Sequence, residues 1–599
     1  MSIAESPALP ARAPWARGAW VALGAVSIGF HLWLIFAGLV PNLVARPLHM
    51  ALAAPWALIY LARGPVERAT GTALTALAVA ACLWVVWNER ALGNQFGFLD
   101  GPWQTAVAVV LLGCVLEMAR RAIGWPLPVV AMLALLYGLF GQHIPGHFGH
   151  GGTPLGSFLG RLTIAEGALW GSLTAVSVNV VAVFVIFGAV LNAGEAGRGF
   201  MNLAAAAAGR LRGGAAKMSV FSSALFGSIS GSASANVAST GAVTLPAMLR
   251  LGYPRPLAGA VEAVASSGGQ IMPPLMGAGA FVMVELTGTP YAAIMAAALP
   301  PAILYFATVW VGIDAYARRY DLPALAADQR PAARDVAVTS AFFLVPFAVL
   351  MWGMFGLDRT PQYAAALAIL AGGALLLTDQ RLSFDPRPVA ERLAQACETS
   401  GKQIAVIASI ILCASIIVGV LGITGLGVKV TSMIISGSGG MLWAALILTA
   451  IACLILGMEV PTTAAYVICV AVAGPALTRL GLTQLEAHLF VFWFALLSTI
   501  TPPVCGAVFI AAGMINENWL RVAVAAMALG LGLYLIPLAM IANPALLGLA
   551  SDPVSTLIAM AKIGAGLGLV SHAVIAPGRT PMRLALGVVG AALLFLPGR

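Results

Sequence analysis

Charge is what this chain has least of. Only 9% of its 599 residues are Asp, Glu, Lys or Arg, against about 25% in soluble domains. That scarcity excludes a series of water-facing globular domains, although the length alone would suggest about four of them. Cysteine is also sparse. The seven Cys are scattered, mostly in apolar segments (Cys82, Cys114, Cys413, Cys453, Cys469), and none shows CxxC spacing. They read as packing residues rather than disulfides or metal ligands. There is no Walker motif, no HExxH and no GxSxG, so ATP-driven transport and common intramembrane hydrolysis lack support. A net charge of +9 comes with no basic face interleaved with aromatics, which argues against a nucleic-acid partner.

What the chain does have is apolar length. It is 60% hydrophobic, with mean hydropathy +0.96. Stretches near the roughly 20 residues that span a bilayer recur throughout, and about fifteen to eighteen membrane-embedded segments are expected, some of half length. The runs are too continuous for barrel strands, so they are helices. Residues 19–39 exceed a signal h-region and read as a first anchor. Arg12 and Arg17, Arg63 and Arg68, and Arg120 and Arg121 recur at every second loop. They place the N-terminus and those loops in the cytoplasm. The charged stretches 314–335 and 379–402 read as further cytoplasmic loops. The segment "GQHIPGHFGHGGTPLG", residues 141–156, then lies outside. His143, His147 and His150 have the spacing of a helix face, which would suit zinc, but Pro145, Gly146 and Gly149 argue against a helix. A docking loop for an external partner is the preferred reading of this segment.

"LFGSISGSASANVASTGAVTLP", residues 225–246, is uncharged and rich in Gly, Ser, Ala, Asn and Thr inside this apolar chain. It sits between Lys217 and Arg250, which is room for a hairpin but awkward for two full spans. A re-entrant hairpin with its tip near residues 230–236 is expected. Non-helical backbone at that depth must face protein or a wet cavity. Farther on, "VEAVASSGGQIMPPLMGAGAFVM", residues 261–283, is broken by Ser-Ser-Gly-Gly and Pro-Pro, which reads as an interrupted transmembrane helix. The pattern recurs in "LILGMEVPTTAAYVI", 454–468, and "LLSTITPPVCGAVFI", 496–510. Charge places the second hairpin's entry on the opposite side. The expected fold is therefore an all-α polytopic membrane protein with an inverted repeat, two re-entrant helical hairpins and two broken helices.

The tips carry oxygen. A sodium ion takes several oxygens, which unwound carbonyls and short hydroxyl or amide side chains supply. The first set is Ser230, Ser232, Ser234 and Asn236 with Ser266 and Ser267. The second is Gly457, Thr462 and Thr463 with Ser498, Thr499 and Thr501. A substrate carboxylate would meet helix N-termini at the tips, with Ser232, Asn236, Gln270, Pro273, Thr463 and Pro502 lining it. Neither repeat core holds an Arg or Lys. Taken singly, each Ser or Gly could equally serve close helix packing. Glu262 could be a proton carrier, a cation-site residue or a partner of Arg255 in an ion pair. Glu459 could point to water at the second tip.

The segment from Leu225 to Phe281 resembles the large-subunit signature of fused TRAP transporter permeases of the TAXI branch. "IPGHFGHGG" and "GMEVPTTAAYVI" resemble that family's outer loop and second hairpin, although Glu459 stands where a small or apolar residue is expected. The resemblance implies a sodium-driven elevator permease in the bacterial inner membrane, in contact with membrane lipid. It also implies uptake of a small organic acid delivered by a TAXI-type periplasmic binding protein, with Na+ as co-ion. Residues 1–170 then correspond to small-subunit-like helices and an outer loop. Residues 171–541 form the transport and scaffold region, with repeats at about 171–313 and 403–541, and 542–599 is a membrane extension. The rivals are a sodium symporter working without a binding protein and, in another class, an intramembrane metalloenzyme built on the histidine loop.

Overall fold

A computed structural model describes residues 14–379, 381, 383–457, 460–576 and 580–596. Among these residues the protein is helical, with no strand. Ten helices are long and apolar enough to cross a membrane. An eleventh span comes from Trp519–Leu529 and Leu531–Ala542, bent by 41°. Six shorter apolar helices, among them Gly277–Thr287 and Leu442–Leu456, supply the half-length segments. The protein is therefore an all-α polytopic membrane protein.

The chain forms two compact units. One comprises residues up to 194, 344–437 and 471–476; the other comprises 195–343, 438–470 and 477 onward. The first unit is built around a 39-residue helix, Pro386–Thr424. At 1.5 Å per residue it is about 58 Å long, nearly twice a bilayer's hydrocarbon core. Its surplus turns carry Arg387, Glu391, Arg392, Glu398 and Lys402. The expected loop 379–402 is thus helical from residue 386, where Asp385 caps the helix by accepting from the Arg387 amide at 3.1 Å. Arg17 pairs with Glu391 at 2.5 Å. Likewise, residues 314–319 of the other expected loop complete helix Tyr291–Arg319. Charge keeps these turns out of lipid; it does not unwind them.

Buried histidines in this unit link neighbouring helices. His31 Nδ1 donates to the Ser27 carbonyl (2.7 Å), His31 Nε2 meets His49 Nδ1 (2.8 Å), and His49 Nε2 meets Ser177 Oγ (3.0 Å). In the loop 141–156, His150 uses both ring nitrogens: Nε2 meets the Tyr137 carbonyl at 2.9 Å and Nδ1 accepts from the Gly152 amide at 3.1 Å. His143 meets the Gln142 side chain, and Lys429 donates to the Phe148 and Gly149 carbonyls.

The second unit contains the repeat, apart from residues 471–476 within one of its helices. Helices Ala233–Arg250 and Thr462–Arg479 each have 18 residues, with Pro246 and Pro475 at the same place inside them. Arg255–Gly268 and Gln484–Leu497 each have 14 residues. Each of this second pair runs into a 3-10 turn, Gly269–Ile271 or Ser498–Ile500. After the Pro-Pro breaks, Gly277 and Gly506 open the next helices. From Ala233 to Thr462 is 229 positions, and every start in this series keeps that interval. Both Pro-Pro bonds, 273–274 and 502–503, are cis. The packing is reciprocal: Arg255–Gly268 packs on Gly506–Met514, and Gly277–Thr287 packs on Gln484–Leu497. Outside that series the lengths differ. The tip has two residues (231–232) in the first repeat against five (457–461) in the second. The arm before the tip has 17 residues (Gly214–Ser230) in the first and 15 (Leu442–Leu456) in the second, and the last helix has 11 residues (Gly277–Thr287) against 9 (Gly506–Met514). The first tip turns at Gly231, φ +60°, a left-handed conformation that glycine adopts without strain. The lack of a side chain there also admits the Gly277 backbone, which a Cβ would meet at 2.5 Å.

Candidate functional site: two tips and two interrupted helices

The first tip is held by its own short side chains. Ser232 caps helix Ala233–Arg250, its Oγ accepting from the Ala235 amide at 3.3 Å. Asn236, fully buried one turn on, donates from Nδ2 to the Ser223 carbonyl (2.9 Å) and the Ser266 carbonyl (3.2 Å). It therefore ties both arms of the hairpin to the first broken helix. Where the hairpin crosses that helix, Gly227 and Gly269 lie backbone to backbone. Ser230 ends the first arm, and its Oγ is buried without a hydrogen-bond partner; Oε1 of Gln270 in the 3-10 turn is in the same state. Ser234 is exposed on the first turn after the tip. Pro273 is half-buried in the break, where the Tyr291 hydroxyl donates to the Pro274 and Leu275 carbonyls.

Glu262 is fully buried and is surrounded by hydroxyls. Ser219 donates to Oε2 at 2.8 Å and Ser266 to Oε1 at 3.2 Å. Thr240 reaches Oε1 and Thr244 reaches Oε2. Arg255, one of the partners considered for Glu262, donates to the Ile515 carbonyl at 3.3 Å. A carboxylate with several charge-assisted donors is satisfied without a cation. Thr240 and Thr244 also face the carbonyls four residues back, Asn236 at 2.8 Å and Thr240 at 3.0 Å. Sequence reasoning selected Ser266 but missed Ser219, Ser223, Thr240 and Thr244. The available signal was the i, i+4 spacing of 240 with 244 and of 262 with 266, which stacks each pair on one helix face.

In the second repeat, Ser498 Oγ donates to the Gly457 carbonyl at 3.0 Å, at the crossing that Gly227 and Gly269 make in the first. Thr499 and Thr501 bond the helical carbonyls of Leu496 and Leu497, each at 2.7 Å. Thr501 also meets the Tyr534 hydroxyl at 2.6 Å. Pro502 is half-buried. Thr462 and Thr463 open the helix after the tip, the first buried and the second half-buried. Glu459 lies outside the described residues. The repeats meet where Ser267 Oγ lies 3.0 Å from Thr499 Oγ1. Ser267, expected in the first set, thus stands at the junction of both.

Duplicated helices interrupted at polar, proline-bounded breaks inside an apolar helical chain fit a polytopic membrane transporter. The chain belongs to the tripartite ATP-independent periplasmic transporter family, DctM component, whose match covers residues 109–554. It is similar to the C4-dicarboxylate TRAP transporter large permease protein DctM of Pseudomonas aeruginosa, 27% identical over 54% of this chain and 73% of that one. It also resembles the isethionate TRAP transporter permease protein DctMQ of Oleidesulfovibrio alaskensis, 25% identical over 58% of this chain and 54% of that one. A third relative is the ectoine/5-hydroxyectoine TRAP transporter large permease protein UehC of Ruegeria pomeroyi, 26% identical over 32% of this chain and 45% of that one.

Proposed function

We propose that this protein is the inner-membrane permease of a TRAP system that takes up a small organic acid with sodium. The observation that carries the reading is the meeting of the two interrupted helices at Ser267 and Thr499. It brings the oxygen-bearing breaks of both repeats to one place. The buried, unpartnered Ser230 Oγ and Gln270 Oε1 fit a site with ligand positions to fill. Sodium, a co-substrate here, would be held by Ser230, Ser232, Ser234, Asn236, Ser266 and Ser267 in the first repeat. In the second, Gly457, Thr462, Thr463, Thr499 and Thr501 would hold it. With no Lys or Arg in either tip, an anionic substrate relies on amides, hydroxyls and the co-ion.

The finer parts of the reading follow from the resemblance. A TAXI-type periplasmic binding protein delivers the substrate and docks partly on the outer loop 143–157. Residues 1–170 act as a fused small subunit. The N-terminus is cytoplasmic, the repeats are inverted, and the repeat region moves as an elevator. The named substrates of the relatives, C4-dicarboxylates, isethionate and ectoine, keep the proposal at the level of small polar organic solutes, with acids first.

The test is uptake into proteoliposomes by the permease with its binding protein. Accumulation should require inward-directed sodium and the binding protein. Equal uptake with choline on both sides would remove sodium coupling, and equal uptake without the binding protein would make the chain a stand-alone symporter.

A further inference from the structure

A polar cleft of about 90 Å³ opens in the first unit, far in sequence from either tip. It lies among the end of span Asn42–Tyr60, the start of Pro65–Trp87 and the end of Gly101–Ile123. Arg63, Arg120 and Arg121 line it with Glu67, and Trp125 stands at its rim, 58% exposed. Arg121 is buried and fully engaged, by Glu117 at 2.6 Å, the Glu67 carbonyl at 2.6 Å, Thr70 at 3.1 Å and the Leu58 carbonyl. Arg120 pairs with Glu117 at 2.6 Å and Glu67 at 3.3 Å, and its guanidinium lies 5.4 Å from the Trp125 ring centre. Arg63 differs. Its backbone amide donates to Glu67 Oε2 at 2.8 Å, while its side chain is exposed and makes no ion pair among the described residues. Three guanidiniums therefore face two carboxylates, and one positive charge is left over at the mouth.

We infer that this cleft binds the phosphodiester of an anionic phospholipid headgroup such as phosphatidylglycerol. Guanidinium groups match phosphate oxygens in a planar, two-pronged way. The single surplus charge complements the single charge of a phosphodiester better than that of inorganic phosphate. Arg clusters mark the cytoplasmic face, and Trp favours the headgroup level. Basic clefts between spans on that face suit anionic headgroups. The exposed side chains of Trp125 and Val66 supply an apolar edge for the acyl side. The engaged Arg120 and Arg121 build the cleft, and Arg63 is the group free to close on the ligand.

The inference is tested on the full chain in a neutral detergent. Phosphatidylglycerol, phosphatidylcholine or inorganic phosphate is titrated while thermal stability and bound lipid are followed, the latter by native mass spectrometry. Arg63→Gln carries the test, because it removes an exposed side chain that supports nothing else. Arg359→Gln, an exposed Arg near Tyr363 rather than in the cleft, is the control. Phosphatidylglycerol should stabilise the wild type and the control alike. For Arg63→Gln its apparent affinity should fall about fivefold, the effect of one arginine at a membrane surface. Phosphatidylcholine should have no effect that depends on Arg63. Protection by inorganic phosphate but not by the lipid would overturn the headgroup as the source. Equal responses of wild type and Arg63→Gln to both anions would overturn the site.

Discussion

The two repeats share a backbone and differ in what fills it. Five side chains of the first repeat's polar cluster stand on the duplicated helices: Asn236, Thr240, Thr244, Glu262 and Ser266. The positions 229 residues later are Ala465, Cys469, Ala473, Val491 and Ala495, all buried. The helices, the 3-10 turns, the inner prolines and the Pro-Pro breaks are duplicated; the buried charge is not. At the crossing of tip and broken helix the contrast runs the other way. The first repeat brings two bare glycine backbones together, whereas the second replaces one of them with Ser498 and gains a hydrogen bond. The geometry of a break is thus set by turn and backbone chemistry, and the polarity around it is free to diverge.

The strongest way to break this comparison is to exchange the charge. Val491→Glu would bury a carboxyl where the equivalent hydroxyls are missing. It should lower unfolding stability in detergent by about 3–5 kcal/mol. Glu262→Val should cost less, about 2–3 kcal/mol. Thr240 and Thr244 can return to the carbonyls four residues back, leaving Ser219 and Ser266 as the main losers. If Val491→Glu proves as stable as wild type, the second repeat tolerates a charge and the asymmetry has no energetic meaning.

The crossings sharpen the comparison at smaller scale. A Cβ at Gly227 runs into the Gly269 backbone, whereas one at Gly457 meets Ser498 Oγ, which can turn away, and Ser498 Cβ at 2.7 Å, which cannot. Gly227→Ala should therefore cost about 2–3 kcal/mol, at the upper end for overpacking. Gly457→Ala should cost less, about 1–2 kcal/mol, from the lost Ser498 hydrogen bond and a small shift of its Cβ. Denaturant midpoints of the two variants, measured side by side, decide it; equal midpoints would mean that both crossings yield alike.

The smallest effects on stability, and the most telling for function, belong to the tips. Ser232→Ala and Thr463→Ala remove one oxygen each and no packing volume of consequence. Stability should change by no more than about 1 kcal/mol, the typical worth of a helix cap. Half-saturating sodium for uptake should rise about tenfold for each, as expected for one lost contact to a charged ligand. Asn236→Ala should do both, because its amide also ties the hairpin to Ser223 and Ser266. Unchanged sodium dependence in all three, at matched membrane abundance, would reduce the polar tips to packing devices.

Much of this was legible in the chain. The Gly231 tip and both Pro-Pro breaks are legible directly. The reason is that hydropathy, proline and glycine act on the backbone locally. The turns from 386 to 402 were misread because charge reports exclusion from lipid, which a helix outlasting the bilayer satisfies as well as a loop. Thr240 and Thr244 were missed because a threonine in an apolar helix looks the same whether it caps a carbonyl or a carboxylate. An ion pair of Glu262 with Arg255, one of three readings open from the sequence, is not made; the Arg255 side chain donates to the Ile515 carbonyl.

By itself, then, the sequence determined that this is a helical membrane protein with two oxygen-rich, proline-broken repeats. Those properties follow from transfer free energies and backbone conformations that each residue carries with it. Only the tertiary structure decided that Ser267 of one repeat meets Thr499 of the other. It alone decided that Glu262 is caged by hydroxyls rather than paired with a cation, and that Arg63 is left unpaired beside two engaged arginines. Each of these depends on which faces of separate helices are pressed together, and short-range hydrogen bonds and ion pairs register that choice only after the helices have packed.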